Sequence, residues 1–286
     1  MLALGIGLTA ALIWAVHDLL VRKLSQGAAL LPTIAVVLGA GSLVLVPVAL
    51  LTGGWAAMTG AAWGIAMASG LTFALACGTL YKAFSLAPVR LVSPVVGAYP
   101  MLSLAIAGMQ GGVVTQADWL AVAVIVAGIA LVARAARDDG PEGYVASPAE
   151  AMSWAGISGL AYAVTFALGQ EANRQGAEVP VMLIGRLVAL AAVVLLALIR
   201  GGRLMPPRAQ LWLLALMGVL DATAMGLVIA AGRLLRAEYA AVATSLFGVL
   251  TVLLAALVLR EKVRPVQWLG ITVVFSGIAA LGLNAA

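Results

Sequence analysis

The chain contains the stretch DWLAVAVIVAGIAL at residues 118–131 and, much later, the stretch QWLGITVVFSGIAA at residues 267–280. Both begin with a polar residue followed by Trp-Leu, and both carry Gly-Ile-Ala at the same offset. Apolar segments resemble one another by composition alone. Further matches at the same spacing are therefore needed before this pair indicates an internal duplication.

Two such matches exist. LIWAV at residues 12–16 corresponds to LAYAV at residues 160–164, and RKLSQG at 22–27 corresponds to EANRQG at 171–176. All three matches occur in the same order along the chain and at an offset of about 150 residues. Together they indicate that the second half of the chain is a copy of the first.

The composition indicates an integral membrane protein. Hydrophobic residues make up 64% of the chain, charged residues only 9%, and the mean hydropathy is +1.14. A soluble domain carries about 25% charged residues, so this chain lacks the polar residues that would cover a water-facing surface. Spans in lipid must satisfy their own backbone hydrogen bonds, which predicts transmembrane helices.

Ten apolar segments can be counted, five on each side of a polar stretch, RDDGPEGYVASPAE, at residues 137–150. We predict a first five-helix repeat at 1–136, a linker at 137–150 and a second repeat at 151–286. The segments cover approximately residues 3–22, 29–51, 62–84, 89–110, 117–136, 152–171, 179–199, 209–232, 236–259 and 266–284.

An odd number of spans per repeat has a topological consequence, because the second copy must enter the membrane from the opposite side. The predicted fold is therefore an all-α integral membrane protein, with ten transmembrane helices arranged as two inverted five-helix repeats around a central cavity. Inverted repeats of this kind are typical of secondary transporters, which hold the substrate near the midplane.

Most Lys and Arg residues lie in the loops after the first, third, fifth, seventh and ninth segments. This bias predicts that those loops lie in the cytoplasm and both termini on the opposite side, which is the periplasm if the membrane is a bacterial inner membrane. The formal net charge is +5, but the basic residues occur in ones and twos. That scatter argues against nucleic-acid binding, which needs a basic patch.

Two regions carry a family resemblance: FSLAPVRLVSPVVGAYPMLSLAIAG at 84–108 and RAEYAAVATSLFGVLTVLLAALVLREKVRPVQWLGITVVFSGIAAL at 236–281. The chain resembles the EamA-type branch of the drug/metabolite transporter superfamily. The second half keeps the acid of the family pattern as Glu261, followed by Gly277, whereas the first half reads MQGGV without an acid but keeps Gly128. Pro100 fits the usual proline of span four.

The resemblance implies a basket of ten helices, with spans one, three, four, six, eight and nine lining a cavity and spans five and ten at the periphery. Among bacterial relatives, the chain looks most similar to exporters of aromatic amino acids. No cofactor is implied.

Ionisable residues inside a span are costly and need an explanation, at about 2.5–3.5 kcal/mol for Asp, Lys or Arg at a helix centre. Trp14, His17 and Asp18 share a helical face by their i, i+3, i+4 spacing. They predict a cavity wall on which the indole stacks on a substrate and a polar side chain binds its charged group. The alternative is that His17 and Asp18 snorkel into interfacial water.

Asp221 lies near the middle of span eight, in GVLDATAMG. One interpretation is a substrate-amine or proton-coupling carboxylate. The other is a structural ion pair with Arg186, which lies a few residues into span seven.

Tyr99 precedes Pro100 inside span four, and Pro94 lies six residues earlier. A proline frees a backbone carbonyl and bends the helix, so we predict a broken helix that directs Tyr99 into the cavity. Tyr81 and Lys82 close span three, where Lys82 either attracts a substrate carboxylate or anchors the helix end.

Tyr162 and Phe166 are spaced i, i+4 on span six, and Tyr162 corresponds to Trp14 in the repeat. They predict either a binding surface or ordinary helix packing. Thr244 and Ser245 in span nine supply small hydroxyls that can bond to a ligand or to neighbouring helices.

The preferred function is a secondary transporter that exports small amphiphilic metabolites, namely aromatic or apolar amino acids, by alternating access. The alternatives are a multidrug or sugar/nucleotide-sugar permease and, in a different class, an intramembrane enzyme acting on lipid-linked substrates. One His, one Cys and few acids offer little for metal or hydrolytic chemistry, so we expect no enzyme activity and no metal. The expected partners are a small-molecule substrate and the lipid bilayer, with the chain a monomer or weak oligomer.

Overall fold

The computed structural model describes residues 2–26, 29–109, 111, 114–137, 145–201, 205–232, 243–244 and 246–284. Every regular element within these residues is helical. The α-helices are α1 (Leu2–Ser25), α2 (Leu30–Thr52), α3 (Gly60–Leu86), α4 (Val89–Gly97), α5 (Tyr99–Met109), α6 (Gln116–Arg137), α7 (Pro148–Arg174), α8 (Glu178–Ile199), α9 (Leu211–Gly232), α10 (Phe247–Val258) and α11 (Pro265–Asn284). Short 3₁₀ turns occupy Trp55–Ala57 and Arg208–Gln210.

Among the described residues, nine helical segments are long and apolar enough to cross a membrane, and Phe247–Val258 is a shorter apolar helix. The prediction of an all-helical membrane protein is confirmed, and the helix bounds agree with the predicted spans to within a few residues. The predicted start of span nine, at residue 236, lies outside the described residues.

Span four is broken, as its two prolines predict. Helix α4 ends at Gly97, Ala98 leaves the helical path, and α5 begins at Tyr99. Pro100 lacks a backbone N–H and restricts the residue before it, so the helix cannot run through this point unchanged. The break lies halfway along the Val89–Ile106 span and brings Tyr99 to the interior.

The predicted linker is shorter in the structure, because α6 continues to Arg137 and α7 begins at Pro148. Ser147 explains the early start of α7: its side-chain oxygen accepts a hydrogen bond from the N–H of Glu150 at 3.2 Å. Pro148 follows at the first helical position, where a proline is well tolerated. The residues at 138–144 lie outside the described part of the chain.

Helices α6 and α11, which are spans five and ten, pack against each other. A Cβ atom added at Gly128 would lie 2.8 Å from the carbonyl oxygen of Gly270, and one at Gly277 would lie 2.9 Å from that of Ala121. The two backbones approach too closely for larger residues. Gly128 and Gly277, which the two matched stretches share, therefore permit close helix packing.

The remaining long helices contact one another mainly across the two halves of the chain. Helix α3 packs on α7 and α8, α2 packs on α8 and α9, and α1 packs on α9 and α10. The buried core follows these contacts and includes Tyr81, Phe84 and Leu38. The arrangement leaves an internal cavity between α1, α3, α4, α5, α7, α9 and α10.

Candidate functional site

The internal cavity is lined by side chains from spans one, three, four, six, eight and nine, the same six that the family resemblance implies. Its lining residues are Trp14, His17, Asp18, Phe73, Leu80, Val96, Tyr99, Tyr162, Phe166, Asp221, Met225 and Phe247. They divide evenly between two sets of neighbouring helices, which we call the polar wall and the aromatic wall.

The polar wall is built by α1, α9 and the start of α10. It consists of Trp14, His17, Asp18, Asp221, Met225 and Phe247. The indole N–H of Trp14 donates to Oδ1 of Asp221 at 3.2 Å. Nδ1 of His17 lies 3.1 Å from Oδ1 of Asp18, and both of these side chains are buried. They therefore do not reach interfacial water, which removes the snorkelling alternative.

Arg186 lies behind the polar wall on α8. Its Nη2 forms an ion pair with Oδ2 of Asp221, so the pairing considered from the sequence is present. The side chain of Arg186 is 4% exposed and that of Asp221 17% exposed, so the carboxylate keeps a face toward the cavity. The guanidinium also lies 5.7 Å from the ring centroid of Phe73, which is within cation–π range.

The aromatic wall is built by α3, α7 and the broken span of α4 and α5. It consists of Phe73, Leu80, Val96, Tyr99, Tyr162 and Phe166. Its rings are in contact in series: the centroids of Phe73 and Tyr162 are 6.3 Å apart, those of Tyr162 and Phe166 6.1 Å, and those of Phe166 and Tyr99 5.2 Å. Such spacings are typical of stabilising aromatic pairs.

The two walls occupy corresponding positions in the two halves of the sequence. Eight of the twelve lining residues form four pairs, each separated by 148 positions: Trp14 with Tyr162, Asp18 with Phe166, Phe73 with Asp221, and Tyr99 with Phe247. In every pair one member belongs to the polar wall and the other to the aromatic wall. Two of the pairs match one aromatic residue with another, and the other two match an aspartate with a phenylalanine.

Seven side chains expected at a site from the sequence lie together in the cavity: Trp14, His17, Asp18, Tyr99, Tyr162, Phe166 and Asp221. Tyr81 and Lys82 do not line it. Tyr81 is buried in the core and Lys82 is half-buried at the end of α3. Thr244 donates a hydrogen bond to the carbonyl of Gly7 at 3.5 Å, and Ser245 lies outside the described residues.

Sequence reasoning missed Phe73, Leu80, Val96, Met225 and Phe247 as lining residues. The sequence does not show whether an apolar side chain in an apolar span faces lipid, the core or the cavity. The internal repeat offered one signal for two of them. Phe73 lies 148 positions before Asp221, and Phe247 lies 148 positions after Tyr99. Asp221 and Tyr99 were both expected at the site.

The cavity can hold a molecule that is apolar at one end and charged at the other. Polarizable rings on one wall suit an aromatic or aliphatic body, and the carboxylates of Asp18 and Asp221 on the other suit a cationic group. Within the described residues, no group of three or more His, Cys, Asp or Glu side chains could hold a metal ion.

A model of the EamA-like transporter family matches the chain over residues 1–134 and again over 150–283. No curated protein sequence matches it. A crystal structure described only as that of a protein is similar at 21% sequence identity, with a TM-score of 0.65, and the match covers 99% of this chain and 97% of the other. That likeness establishes a shared fold. Since the two family matches cover nearly the whole sequence, the chain belongs to the EamA-like transporter family.

Proposed function

We propose that this protein is a secondary carrier that exports aromatic or apolar amino acids, or closely related amphiphiles, through the cavity between the polar and aromatic walls. The observation that carries this proposal is the division of the cavity into one wall of rings and one wall with two carboxylates. A uniformly apolar cavity would suit a hydrocarbon, and a uniformly charged one would suit a polar solute. The division suits a molecule with both features.

An amino-acid zwitterion fits the Arg186–Asp221 pair. Its ammonium group pairs with the exposed face of Asp221. Because Arg186 lies behind the wall and is 4% exposed, its guanidinium must turn from Asp221 toward the cavity to pair with the carboxylate, and one ion pair is then exchanged for two. The amino-acid side chain then lies against Phe73, Tyr162 and Phe166. Because partly desolvated charges must be compensated, this exchange leaves no new charge unpaired.

A second candidate substrate is an organic cation, of the kind that a multidrug exporter carries. Asp18 and Asp221 contribute two formal negative charges around the cavity and Arg186 contributes one positive charge. With His17 neutral, one negative charge remains. Such a balance, together with ring faces that attract cations, favours an amine without a carboxylate over an anion.

The excess of negative over positive charge around the cavity also disfavours phosphate-bearing substrates such as nucleotide sugars. Of the three cations considered for them, Arg186 is paired with Asp221, Arg90 lies within 4.0 Å of a Glu261 oxygen, and Lys82 does not line the cavity. A phosphate would meet Asp18 and Asp221 instead. Like charges in a partly desolvated site repel strongly.

We further infer that the two halves are inverted repeats, comprising residues 1–136 and 151–286, and that transport proceeds by alternating access. Helix contacts between the halves support this because they occur in corresponding pairs. Helix α3 packs on α7 as α1 packs on α9, α3 packs on α8 as α2 packs on α9, and α4 packs on α7 as α1 packs on α10. A two-fold relation between two copies of five helices produces this pattern.

The bias of Lys and Arg supports an inner-membrane location with both termini periplasmic. In this orientation Arg22, Arg90 and Glu261 lie at the cytoplasmic end. We expect the chain to act as a monomer or weak oligomer, since both walls of the cavity come from one chain.

Asp221 is the group best positioned to couple transport to protons, since it faces the cavity and is bound by Arg186 and Trp14. Protonation would release Arg186. We expect Asp221→Asn to abolish uptake driven by a pH gradient while retaining exchange of labelled for unlabelled substrate, which requires no net proton movement. Retained gradient-driven uptake would leave Asp221 without a coupling role.

The substrate proposal is tested by uptake into proteoliposomes that contain the purified protein. The panel comprises labelled phenylalanine, leucine, glutamate, 2-phenylethylamine and 3-phenylpropionate, with and without a pH gradient. Faster movement of phenylalanine and leucine than in protein-free liposomes supports amino-acid transport. Selective movement of 2-phenylethylamine favours the organic-cation alternative. If neither class moves above the protein-free rate, both substrate assignments are wrong.

A further inference from the structure

One carboxylate joins the two halves at the end of the molecule beyond the cavity. Glu261, between α10 and α11, accepts hydrogen bonds from the backbone N–H of Val89 at 3.0 Å and of Arg90 at 3.3 Å. Its Oε1 also lies 3.7 Å from Nε of Arg22, and its Oε2 lies 4.0 Å from Nη1 of Arg90. Arg22 in turn donates to the carbonyl of Phe84. The ends of α1, α3 and α4 are thereby tied to the second half.

Stripes of side chains lead from the cavity to this cluster, which we call the Glu261 cluster (Arg22, Arg90 and Glu261). On α1 the lining residues Trp14 and Asp18 are followed one turn later by Arg22. On α4 the lining residue Val96 is preceded at successive three-residue steps by Ser93 and Arg90. Residues three or four apart lie on one helical face. The cavity and the cluster are therefore two ends of the same interhelical seam.

Buried hydroxyls on the helices that form this seam, α1, α3 and α4, are left without hydrogen-bond partners by the packing. The hydroxyls of Tyr81 and Ser93 are buried, at 2% exposure for each residue, and have no hydrogen-bond partner within the described part of the chain. The hydroxyl of Ser25, one turn beyond Arg22, is also buried without a hydrogen-bond partner in the described part of the chain. An unpaired buried hydroxyl costs about 1–3 kcal/mol. A seam that stayed dry in every state would not be expected to keep several of them.

The opposite end of the molecule provides an internal comparison. At the 148-residue offset of the cavity pairs, Gln170 on α7 corresponds to Arg22 and Asn173 to Ser25, one position before the partners in the match of 22–27 with 171–176. Gln170 is exposed and Asn173 half-buried, whereas Arg22 and Ser25 are buried. The end of α1 is thus more deeply buried than the corresponding end of α7, although Oδ1 of Asn173 is also buried.

We propose that the seam between α1, α3 and α4 is the second part of the substrate path, lined by Tyr81 and Ser93, and that the Glu261 cluster is the gate that closes it in this structure. In the alternate state the gate opens, Tyr81 and Ser93 become hydrated, and the end of α7 around Gln170 closes. This inference rests on the proposed transport by alternating access. It does not depend on which amphiphile is carried.

The test uses cysteine accessibility, for which the chain offers a simple background because Cys77 is its only cysteine. In a Cys77→Ala background, Ser93→Cys and, separately, Gln170→Cys are labelled with N-ethylmaleimide in native membranes. Each is measured with Glu261 intact and with Glu261→Gln. We expect Ser93→Cys to label about tenfold faster in the Glu261→Gln chain, because loss of a buried charge partner shifts the equilibrium away from the closed gate.

Labelling of Gln170→Cys distinguishes opening of the gate from a local loss of packing around residue 261. Opening of one end closes the other, so labelling of Gln170→Cys should become slower in the same Glu261→Gln chain. Ser158→Cys is the matched control, because Ser158 is buried on α7 but donates to the carbonyl of Ala76 rather than lining the seam. It should label no faster in either background.

An unchanged rate at Ser93→Cys would overturn the proposal, and so would a faster rate there with an unchanged rate at Gln170→Cys. If Glu261→Gln does not reach the membrane, Arg22→Gln removes the other member of the gate and should give the same pair of changes. The labelling outcome is independent of substrate identity. Failure of amino-acid transport together with reciprocal labelling would overturn only the substrate assignment.

Discussion

The polar wall and the aromatic wall occupy corresponding places in the two halves of the chain, yet the polar wall carries two aspartates where the aromatic wall carries phenylalanines. Trp14 corresponds to Tyr162, so an aromatic side chain is kept on both sides. Asp221, in contrast, corresponds to Phe73. Matched positions in the two halves thus line the same cavity, and their side chains give it its polarity. A cavity with two identical walls could bind a substrate in either orientation, whereas this one distinguishes the two ends of an amphiphile.

The two walls also differ in what they contribute to stability. The rings of the aromatic wall stabilise the fold by burial and by pairwise ring contacts. The Arg186–Asp221 pair of the polar wall requires desolvation of both charges, which offsets their attraction. We therefore expect the aromatic wall to contribute net stability and the polar wall to be retained chiefly for binding.

The largest effect is expected from Asp221→Leu. This change leaves the buried guanidinium of Arg186 without its carboxylate, which costs about 3–5 kcal/mol, and it removes the proposed ammonium site. We expect loss of transport and a markedly lower unfolding temperature in detergent. Since Cys77 is the only cysteine and is buried, a thiol-reactive fluorophore reports the unfolding. An unfolding temperature equal to that of the wild type would contradict the energetic difference between the walls.

The double variant Arg186→Leu with Asp221→Phe converts part of the polar wall into its counterpart, because Leu38 and Phe73 lie 148 positions before these residues. Replacement of a buried ion pair by apolar residues is often neutral or stabilising. We expect most of the stability lost in Asp221→Leu to return, while uptake of 2-phenylethylamine and phenylalanine stays absent. Restored uptake would show that the ion pair is not needed for recognition.

A smaller effect is expected on the aromatic wall from Tyr99→Ala. The change removes a ring in contact with Phe166 at 5.2 Å, and an aromatic pair is worth about 0.5–1.5 kcal/mol beyond its buried area. We expect KM for phenylalanine to rise about tenfold, with a smaller change for leucine, because burial of the ring against the substrate is lost as well. Tyr99→Phe keeps the ring and is the matched control. Equal effects of the two substitutions would contradict a role for the ring.

The smallest effect is expected from Trp14→Phe, which keeps an aromatic side chain but removes the indole N–H that binds Asp221. A hydrogen bond to a charged group contributes about 1.5–3 kcal/mol when fully buried, and less here because Asp221 keeps an exposed face. We expect a fewfold rise in KM for amines and no change for an apolar probe such as toluene, measured by competition. If KM rose equally for both ligands, the role of Trp14 would be to shape the cavity and not to orient the carboxylate of Asp221.

Much of the fold was predictable from the sequence because lipid imposes strong constraints. Every span must be apolar and helical, so the spans were visible as apolar runs, and the proline pair at Pro94 and Pro100 indicated the break in span four. The start of α7 was predicted four residues too late, because capping by Ser147 depends on a local hydrogen bond that periodicity does not reveal.

The candidate site was predictable only where a side chain was conspicuous. Asp221, His17 and Tyr99 stand out in an apolar span because each carries a desolvation cost or a special backbone position. Phe73 and Phe247 do not stand out, since an aromatic residue can pack equally well against lipid or in a protein core. Tyr81 looked similar to Tyr99 in the sequence but is buried in the core and does not line the cavity.

The sequence by itself determined that this chain is helical and membrane-embedded, since hydrophobic composition and spacing alone dictate which segments can lie in lipid. It also showed the duplication, because matched segments at one offset survive divergence. Only the tertiary structure decided which side chains meet. Arg186 contacts Asp221 on the next long helix and Phe73 on the distant α3, and Glu261 joins α1 and α4 to the second half. Packing against neighbouring helices decides which side of a helix points toward the cavity, and no local pattern of residues encodes that orientation.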